Sequence, residues 1–411
     1  MTFTALVTIA RAVLLLAEIA LAVPALYLLV VTLSAMWASY RIAHAPKPAL
    51  DSNAEEWPRL AVLIPAHNEE LLIGRLLDSL ARVEYPRDRL GVYVIADNCD
   101  DATATVARAA TWAHTLERTD TERRGKGYAL VWGLGQLASL GVEYDACAII
   151  DADSVVEERC LLAMADVLRG GAVAVQARDT VLNSFESPST CLRWLALELM
   201  NHVRQLGRSR LGASATLAGN GMLLRRELLE RYPWRAFGLT EDYQYYLGLI
   251  ERGERVEYAP DAVVRSDMPT TFDQMRLQDI RWESDDTSTW ATSLRLLRAA
   301  ARERSILPFE AVIELLTPPL SMLVGGSILL LLVALVLGWA PTLALALVIM
   351  ACVGVYISST LVLERPPLAF YRGMLYAPMY LCWKLWVTVV AVRIPRRSRE
   401  WVRTARAAPD Q

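Results

Sequence analysis

The chain has 411 residues and a formal net charge of −3, and its six cysteines and four histidines are dispersed with no CxxC pair. That balance gives no reason to expect a nucleic-acid partner, and the spacing excludes a disulfide framework and a zinc site. Hydrophobic residues make up 54% of the chain and mean hydropathy is +0.28, which points to membrane spans and a lipid bilayer as partner.

The first apolar stretch, Val13 to Tyr40, carries Glu18 and Pro24. It is too long for the core of a signal peptide and no cleavage site follows it, so one span is expected. Glu18 reads either as a functional intramembrane carboxylate or as a residue of the interface or of a helix contact. Arg41, His44 and Lys47 follow the span and place the polar middle of the chain on the cytoplasmic side.

Short apolar runs and helical patterns then alternate. "RLAVLIPAHNEE" reads as a buried strand ending in a polar loop, and "LGVYVIADNCDDAT" and "YDACAIIDADS" repeat the design. "GAVAVQARD" reads as a fourth strand. Helices are expected over Glu69–Ala81, Thr103–Trp112, Gly127–Ser139 and Glu157–Leu168. This order predicts an α/β domain, a mostly parallel sheet with helices on both faces. Ligands of such sheets bind beyond the carboxyl ends of the strands, so the clusters Pro65–Glu70, Asp97–Asp101 and Asp151–Ser154 should share one crevice. Neither GxGxxG nor a Walker A loop is present in the sequence.

From Leu315 to Leu363 no residue is charged, and "GWAPT" (Gly338–Thr342) divides the run into a hairpin of two spans. The segment Pro366 to Val392 carries Arg372, Lys384 and interface-type Tyr and Trp residues. A full crossing would carry the Arg-rich tail outside, against the positive-inside rule, so a re-entrant or interfacial helix is expected. The chain therefore divides into an N-terminal span and linker (1–53), a cytoplasmic domain ending in amphipathic interface helices (54–307), and a hairpin, interface helix and basic cytoplasmic tail (308–411). The expected location is the plasma membrane, multi-pass, with the middle domain cytoplasmic.

Four stretches carry chemistry. Asp151 and Asp153 flank Ala152 at a strand end, and residues i and i+2 of an extended backbone face the same way. Two such carboxylates suit a hard divalent ion completed by phosphate oxygens, or else a simple capped turn. Lys126 stands between glycines at a helix start, where backbone donors and a cation suit a diphosphate; a solvated basic turn is the plainer reading. Asn220 lies between glycines in "AGNG", expected before a helix, as a close approach of ligand to backbone or a tight turn. Glu241 and Asp242 open a helix after Thr240. Acidic residues are ordinary there, and a carboxylate facing the crevice would also serve as general base.

In order, "PAHNE", "ADNCDDAT", "DAD", "TED" and "QDIRW" resemble the motif series of glycosyltransferase family 2. The resemblance covers Leu60 to Trp282 and is nearest to the membrane-embedded branch that includes cellulose, hyaluronan and poly-N-acetylglucosamine synthases. It implies a GT-A nucleotide-sugar-binding fold and an inverting transfer from a UDP-sugar donor to a saccharide or lipid acceptor, with Mg²⁺ or Mn²⁺. Carried onto this sequence, it implies Asp242 as catalytic base and Asp151 and Asp153 as metal ligands. Pro65, Ala66, Asp97, Lys126, Asp151, Ala152, Asp153 and Arg281 fall at nucleotide-binding positions. Asn220, Glu241, Gln278 and Trp282 fall around the sugars. The sequence departs from the pattern after Trp282, where Glu283, Ser284, Asp285 and Asp286 add negative charge to a loop expected near an anionic nucleotide.

The expected function is a membrane hexosyltransferase engaged in processive polysaccharide synthesis. The alternative is a glycolipid synthase that adds one sugar. A non-enzymatic scaffold is disfavoured by the intact motifs, and a transporter by the lack of paired repeats.

Overall fold

The computed structural model describes residues 3–44, 57–270, 275–276 and 289–393. Eight strands form one sheet in the order β3-β2-β1-β4-β7-β6-β8-β5. The first half is parallel and comprises β1 (Leu60–Ala66), β2 (Leu90–Asp97), β3 (His114–Arg118) and β4 (Ala146–Ile149). The second half is mixed: β7 (Met222–Arg225) runs antiparallel to β4 and β6 (Ala174–Val181), β8 (Val256–Ser266) runs parallel to β6, and β5 (Ser154–Val156) closes the edge antiparallel to β8.

β1, β2 and β4 are almost wholly apolar because both faces of a central parallel strand are covered. Val62, Ile64, Val92 and Val94 face one core, whereas Leu63, Ile95 and Ile149 face the other. The first core is packed by α2 (Ile73–Ala81) and α5 (Cys160–Arg169), and the second by α4 (Lys126–Ser139). The second core does not stop at the domain. It continues through Trp194, Leu199 and Leu206 to Leu28 and Ala35 of the first helix and to Cys352 and Tyr356 of the last apolar helix. One apolar interior thus joins the sheet to the helices outside it.

Several elements differ from their expected bounds for local reasons. The helix expected from Glu69 starts at Ile73, because Asn68 adopts a left-handed conformation (φ 57°) and residues 69–72 form a turn. The amide of Glu69 donates to Thr103 Oγ1 (2.7 Å) and Glu70 Oε2 accepts from the amide of Ala102 (2.9 Å), so both residues cross-link strand ends. The helix α3 (Thr103–Ala109) ends earlier than Trp112. "AGNG" leads into strand β7 before α8 (Arg226–Arg231), correcting the helix expected directly after it. The long strand β8 tolerates Pro260 because its register against β6 jumps from Ala259 to Val263, so residues 260–262 leave the ladder.

Among the described residues, three helices are long and apolar enough to cross a membrane, Thr4–His44, Leu320–Leu337 and Ala340–Glu364. The latter two form the expected hairpin, capped by Gly338 in a left-handed conformation (φ 55°). The first helix, α1 (Phe3–His44), has 42 residues and is therefore about 63 Å long, roughly twice a hydrocarbon core. Its C-terminal part packs against the helical segment 199–210, where Gly207 lies close to the carbonyl of Val31. Glu18 is fully buried in α1, with no hydrogen-bond partner for either oxygen among the described residues. Two further helices follow the hairpin, Leu368–Met374 and Ala377–Arg393.

Candidate active site

Strand carboxyl ends supply part of the site, and helix starts and the loop before β7 supply the rest. Pro65 and Ala66 close β1 and lie in register with Ile95 and Ala96 of β2. Asp97 ends β2, buried, and its carboxylate binds Arg118 Nη1 at 2.5 Å. The other guanidinium nitrogen of Arg118 donates to Asp120 Oδ2 (3.0 Å) and to the carbonyl of Arg123 (2.7 Å). Asn98, at φ 50°, completes the cross-link by accepting from the amide of Asp120 (2.8 Å) and donating to Asp97 (2.9 Å). His67 Nδ1 lies 2.7 Å from the carbonyl of Asp97, so the first two polar clusters do converge. Burial raises the pKa of Asp97, with Arg118 opposing.

The loop held by Arg118 leads directly to Lys126, the first residue of α4. Lys126 Nζ donates to Asp151 Oδ1 and, at 2.6 Å, to the carbonyl of Gly219. Burial opposes the charge of this ammonium, but Asp151, then Glu241 and Asp242, outweigh it and hold the pKa above the lysine range. Tyr128, two residues on, stacks on Phe237 (4.3 Å between ring centres) and brings α4 against the segment before α9 (Glu241–Ile250).

Asp151, Ala152 and Asp153 follow β4. The amide of Asp151 donates to Asn220 Oδ1 at 3.1 Å. The Asn220 amide nitrogen in turn reaches Asp179 Oδ1 (2.9 Å), Ser154 Oγ (3.0 Å) and Ser266 Oγ (3.2 Å). Gln176 holds the same loop, donating to the carbonyl of Asn220 (2.7 Å) and accepting from the amide of Ala218 (3.0 Å). Gly219 takes φ 80°, and a methyl group placed on it would come within 2.8 Å of Asp242 Oδ2. Glycine is therefore required both for the backbone and for the approach to Asp242.

Glu241 and Asp242 occupy the first turn of α9, where the helix dipole favours anions. Glu241 is buried and Asp242 half-buried, facing Lys126 and Asp151. Burial is the main cause that raises both carboxylates, while Lys126 pulls them down and the neighbouring acids push them up. Asp179 is raised well above the carboxylate range by burial and then by Asp151. Four carboxylates thus interact around one lysine.

The donor set fits a divalent cation only in part. Among the described residues no group of three or more His, Cys, Asp or Glu forms a metal cluster. Asp151 and Asp153 supply two carboxylates, and a hard cation there would complete its shell from diphosphate oxygens and water. The surplus of negative charge favours such an ion.

The geometry brings together Lys126, Asp151, Asn220, Glu241 and Asp242, and separately ties Asp97 to the loop before Lys126. Gln278, Arg281, Trp282 and the acidic run Glu283–Asp286 lie outside the described residues. Sequence reading missed Arg118, Asp120, Gln176 and Asp179. For Gln176 and Asp179 the signal available was the run of polar residues, Gln176 and Arg178 to Thr180, within the strand "AVQARDTV".

Comparison with known proteins agrees with this architecture. Over 79% of the chain it is 27% identical to an N-acetylglucosaminyltransferase of Rhizobium meliloti, of which the match covers 76%. Over 45% of the chain it is 30% identical to a beta-monoglucosyldiacylglycerol synthase of Trichormus variabilis, of which the match covers 40%. Across such curated relatives the match spans from 40% to 76% of their length. Among solved structures, a mannosyltransferase from Pyrobaculum calidifontis in complex with GDP-Man and Mn²⁺ aligns over 91% of this chain and 98% of its own. Its TM-score of 0.50 at 19% identity is a likeness of fold, α/β and GT-A-like with added helices. The model of the family described as "Glycosyltransferase like family 2" matches residues 58–284, more than half of the sequence, and the chain belongs to that family.

Proposed function

We propose that this glycosyltransferase is an inverting, metal-dependent membrane enzyme that moves a sugar from a UDP-sugar to a saccharide acceptor and elongates it processively. The observation that carries the reading is the contact of Asp242 with Gly219, whose carbonyl binds Lys126, itself paired with Asp151. A base, a cation and a pair of strand-end carboxylates within one crevice are the parts that displacement at a sugar carbon requires.

In this reading the uracil end lies against Pro65, Ala66 and Asp97, and the diphosphate lies over Lys126, Ala152 and the N-terminus of α4. Asp151 and Asp153 would hold Mg²⁺ or Mn²⁺, which neutralises the departing diphosphate. Asp242 takes the proton of the acceptor hydroxyl as that oxygen attacks the anomeric carbon. The new C–O bond forms on the face opposite the bond to the diphosphate, which breaks and releases UDP, so the configuration inverts. Glu241 and Asn220 border the sugars, and Arg281, Gln278 and Trp282 complete the diphosphate and acceptor sides.

The proposed organisation has a span and linker at 1–53, a cytoplasmic catalytic domain at 54–307, and at 308–411 a hairpin with an interfacial helix and tail at the plasma membrane. Exposed apolar residues on α1 and the hairpin, among them Leu16, Val30, Leu33, Leu332 and Val336, support a lipid environment. A second reading, one-step synthesis of a glycolipid, is favoured by the relative named as a diacylglycerol glycoside synthase.

The test is to incubate the purified protein in lipid with each UDP-sugar, with and without EDTA, and to measure UDP release and product size. A ladder of lengths supports elongation and a single glycolipid the second reading. Release that persists in EDTA overturns the metal assignment.

A further inference from the structure

Arg208 lies on α7 (Gln205–Arg210), away from every motif described above, and is the largest fully buried side chain among the described residues. Its guanidinium is nearly saturated. Nε and Nη2 donate to the two oxygens of Glu310 at 2.7 and 3.0 Å, Nη1 donates to Thr216 Oγ1 at 2.7 Å, and Nη2 also donates to the hydroxyl of Tyr246 at 3.0 Å.

The far ends of these bonds flank the catalytic carboxylate. Tyr246 stands four residues after Asp242 on α9, one turn along the same helix face. Thr216 stands three residues before Gly219, the residue in contact with Asp242, and its amide is held by Gln205 Oε1 of α7 (2.8 Å). One side chain therefore fixes both the helix that carries Asp242 and the loop that touches it.

The other end of the network lies in the membrane-side helices. Glu310 and Glu314 sit one turn apart on the helix Ile306–Leu316. The single hydroxyl of Tyr27 on α1 lies within hydrogen-bond distance of both, nearer to Glu310 (2.5 Å) than to Glu314 (3.1 Å), and Arg204 bridges Glu314 (3.0 Å) to the hydroxyl of Tyr356 in the hairpin (2.8 Å). α7 itself presses on α1 so closely that any side chain at Gly207 would collide with the carbonyl of Val31.

A buried ion pair of this kind adds little stability over well-packed apolar residues, because desolvation offsets the attraction. What it supplies is direction: a planar fork with fixed bond angles. We propose that Arg208 is a positioning residue that sets Asp242 and the Gly219 loop relative to the membrane helices, so that the bundle holds the base in place for the acceptor. The inference rests on the reading of Asp242 as base.

The test uses full-length protein in lipid. Tyr246→Phe and Thr216→Val each remove one link and keep the buried shape. Arg208→Lys keeps the charge, and Asp242→Asn is the control for the base. The expected result is a fall in kcat of about tenfold for Tyr246→Phe and for Thr216→Val, with donor KM within about twofold, since sub-ångström displacement acts on the chemical step. Combining Tyr246→Phe with Arg208→Lys should add less than the product of the single effects, because both break the same link. Wild-type kcat in both single-link variants overturns the proposal, as does full multiplicativity of the pair. Unchanged UDP release in Asp242→Asn overturns the base assignment, and the inference with it; loss of release there with wild-type kcat in the link variants overturns the positioning role alone.

Discussion

Two ionic clusters lie one helical turn apart along α9, and they are built to opposite specifications. At Asp242 the crevice gathers Asp151, Glu241 and Asp242 around Lys126, partly open and with acid in excess. At Tyr246 the junction pairs Arg204 and Arg208 with Glu310 and Glu314, balanced and closed. Burial is the largest influence on Glu241 and Asp242 of the first cluster and on Glu314 of the second. In the crevice it wins, and Glu241 and Asp242 are raised. In the junction the two arginines win, and Glu314 falls below its usual range. A cluster left uncompensated is poised to receive charge, whereas a compensated one holds position.

The largest effect expected from breaking this contrast is that of Asp242→Asn. Loss of a general base costs about 10²–10⁴ in rate. Because the substitution removes one of several like charges, thermal unfolding should be unchanged or shifted upward. UDP release and unfolding temperature measured on one preparation test both halves. A large loss of stability would mean that Asp242 is a structural acid.

Arg118→Met breaks the other buried pair of the crevice region. It leaves Asp97 without its cation, with only the Asn98 amide still donating to it, and frees the loop that carries Lys126. Removing one member of a buried pair costs about 3–5 kcal/mol. The variant should also raise donor KM, because the strand end and the loop before α4 lose their common tie. Unfolding by denaturant and a donor titration separate the two effects.

These pairs also show what the sequence could reveal. β1, β2 and β4 were legible because both faces of a buried parallel strand must be apolar, so their polar ends stood out. Asp97 and Asp151 sit at such ends, and Asp242 was legible as an acid in the first turn of a helix. Arg118 was not legible: in "HTLERTDTERRGK" it looks like one solvated charge among many, and only the pairing of β3 with β2 brings it to Asp97. Arg208, in "RQLGRSR", reads the same way. Its burial is decided by α1 and by a helix about 100 residues onward, and no local pattern encodes that. β8 was hidden by Pro260, whose displacement from the ladder depends on the partner strand. The Gln278–Trp282 motif was the most legible feature of all, and it lies outside the described residues.

The pH dependence of the two clusters should carry opposite signs. A carboxylate whose folded pKa is raised binds more protons in the folded state, so its contribution is present at low pH and lost as pH rises through the folded value. Glu241 and Asp242 should therefore make the metal-free protein less stable from about pH 4 upward. Over the same range activity should rise, as the base loses its proton. Glu314 acts in the other direction: its contribution is present above about pH 4 and is lost as pH falls through its lowered value. Glu314→Gln should remove stability at neutral pH and little of it in acid. With the UDP-sugar held constant, raising Mg²⁺ places positive charge at Asp151 and Asp153 beside Asp242, so the acidic limb of the rate profile should move to lower pH while the Glu314 effect stays fixed. A limb that does not move would mean that the ion does not sit beside Asp242.

The smallest expected effect concerns Asp179, which belongs to the crevice by charge and to the fold by burial. Its Oδ1 accepts from Asn220 (2.9 Å), and burial followed by Asp151 holds its pKa well above the ordinary value. The folded protein therefore keeps a proton that the unfolded chain releases near pH 4, and stability drains away as pH rises above that point. Asp179→Asn keeps an oxygen for Asn220 and places a neutral NH₂ where the proton sat. In EDTA the variant should be more stable than wild type at pH 8 by about 1 kcal/mol, and the two should converge near pH 4. Saturating Mg²⁺ and UDP should shrink the difference, since a cation at Asp151 and Asp153 favours an ionised Asp179 as well. Unfolding curves at both pH values, with and without the ion, test this directly. A difference that ignores both pH and Mg²⁺ would mean that Asp179 is held by its hydrogen bond to Asn220 alone, and that the crevice charges stop short of it.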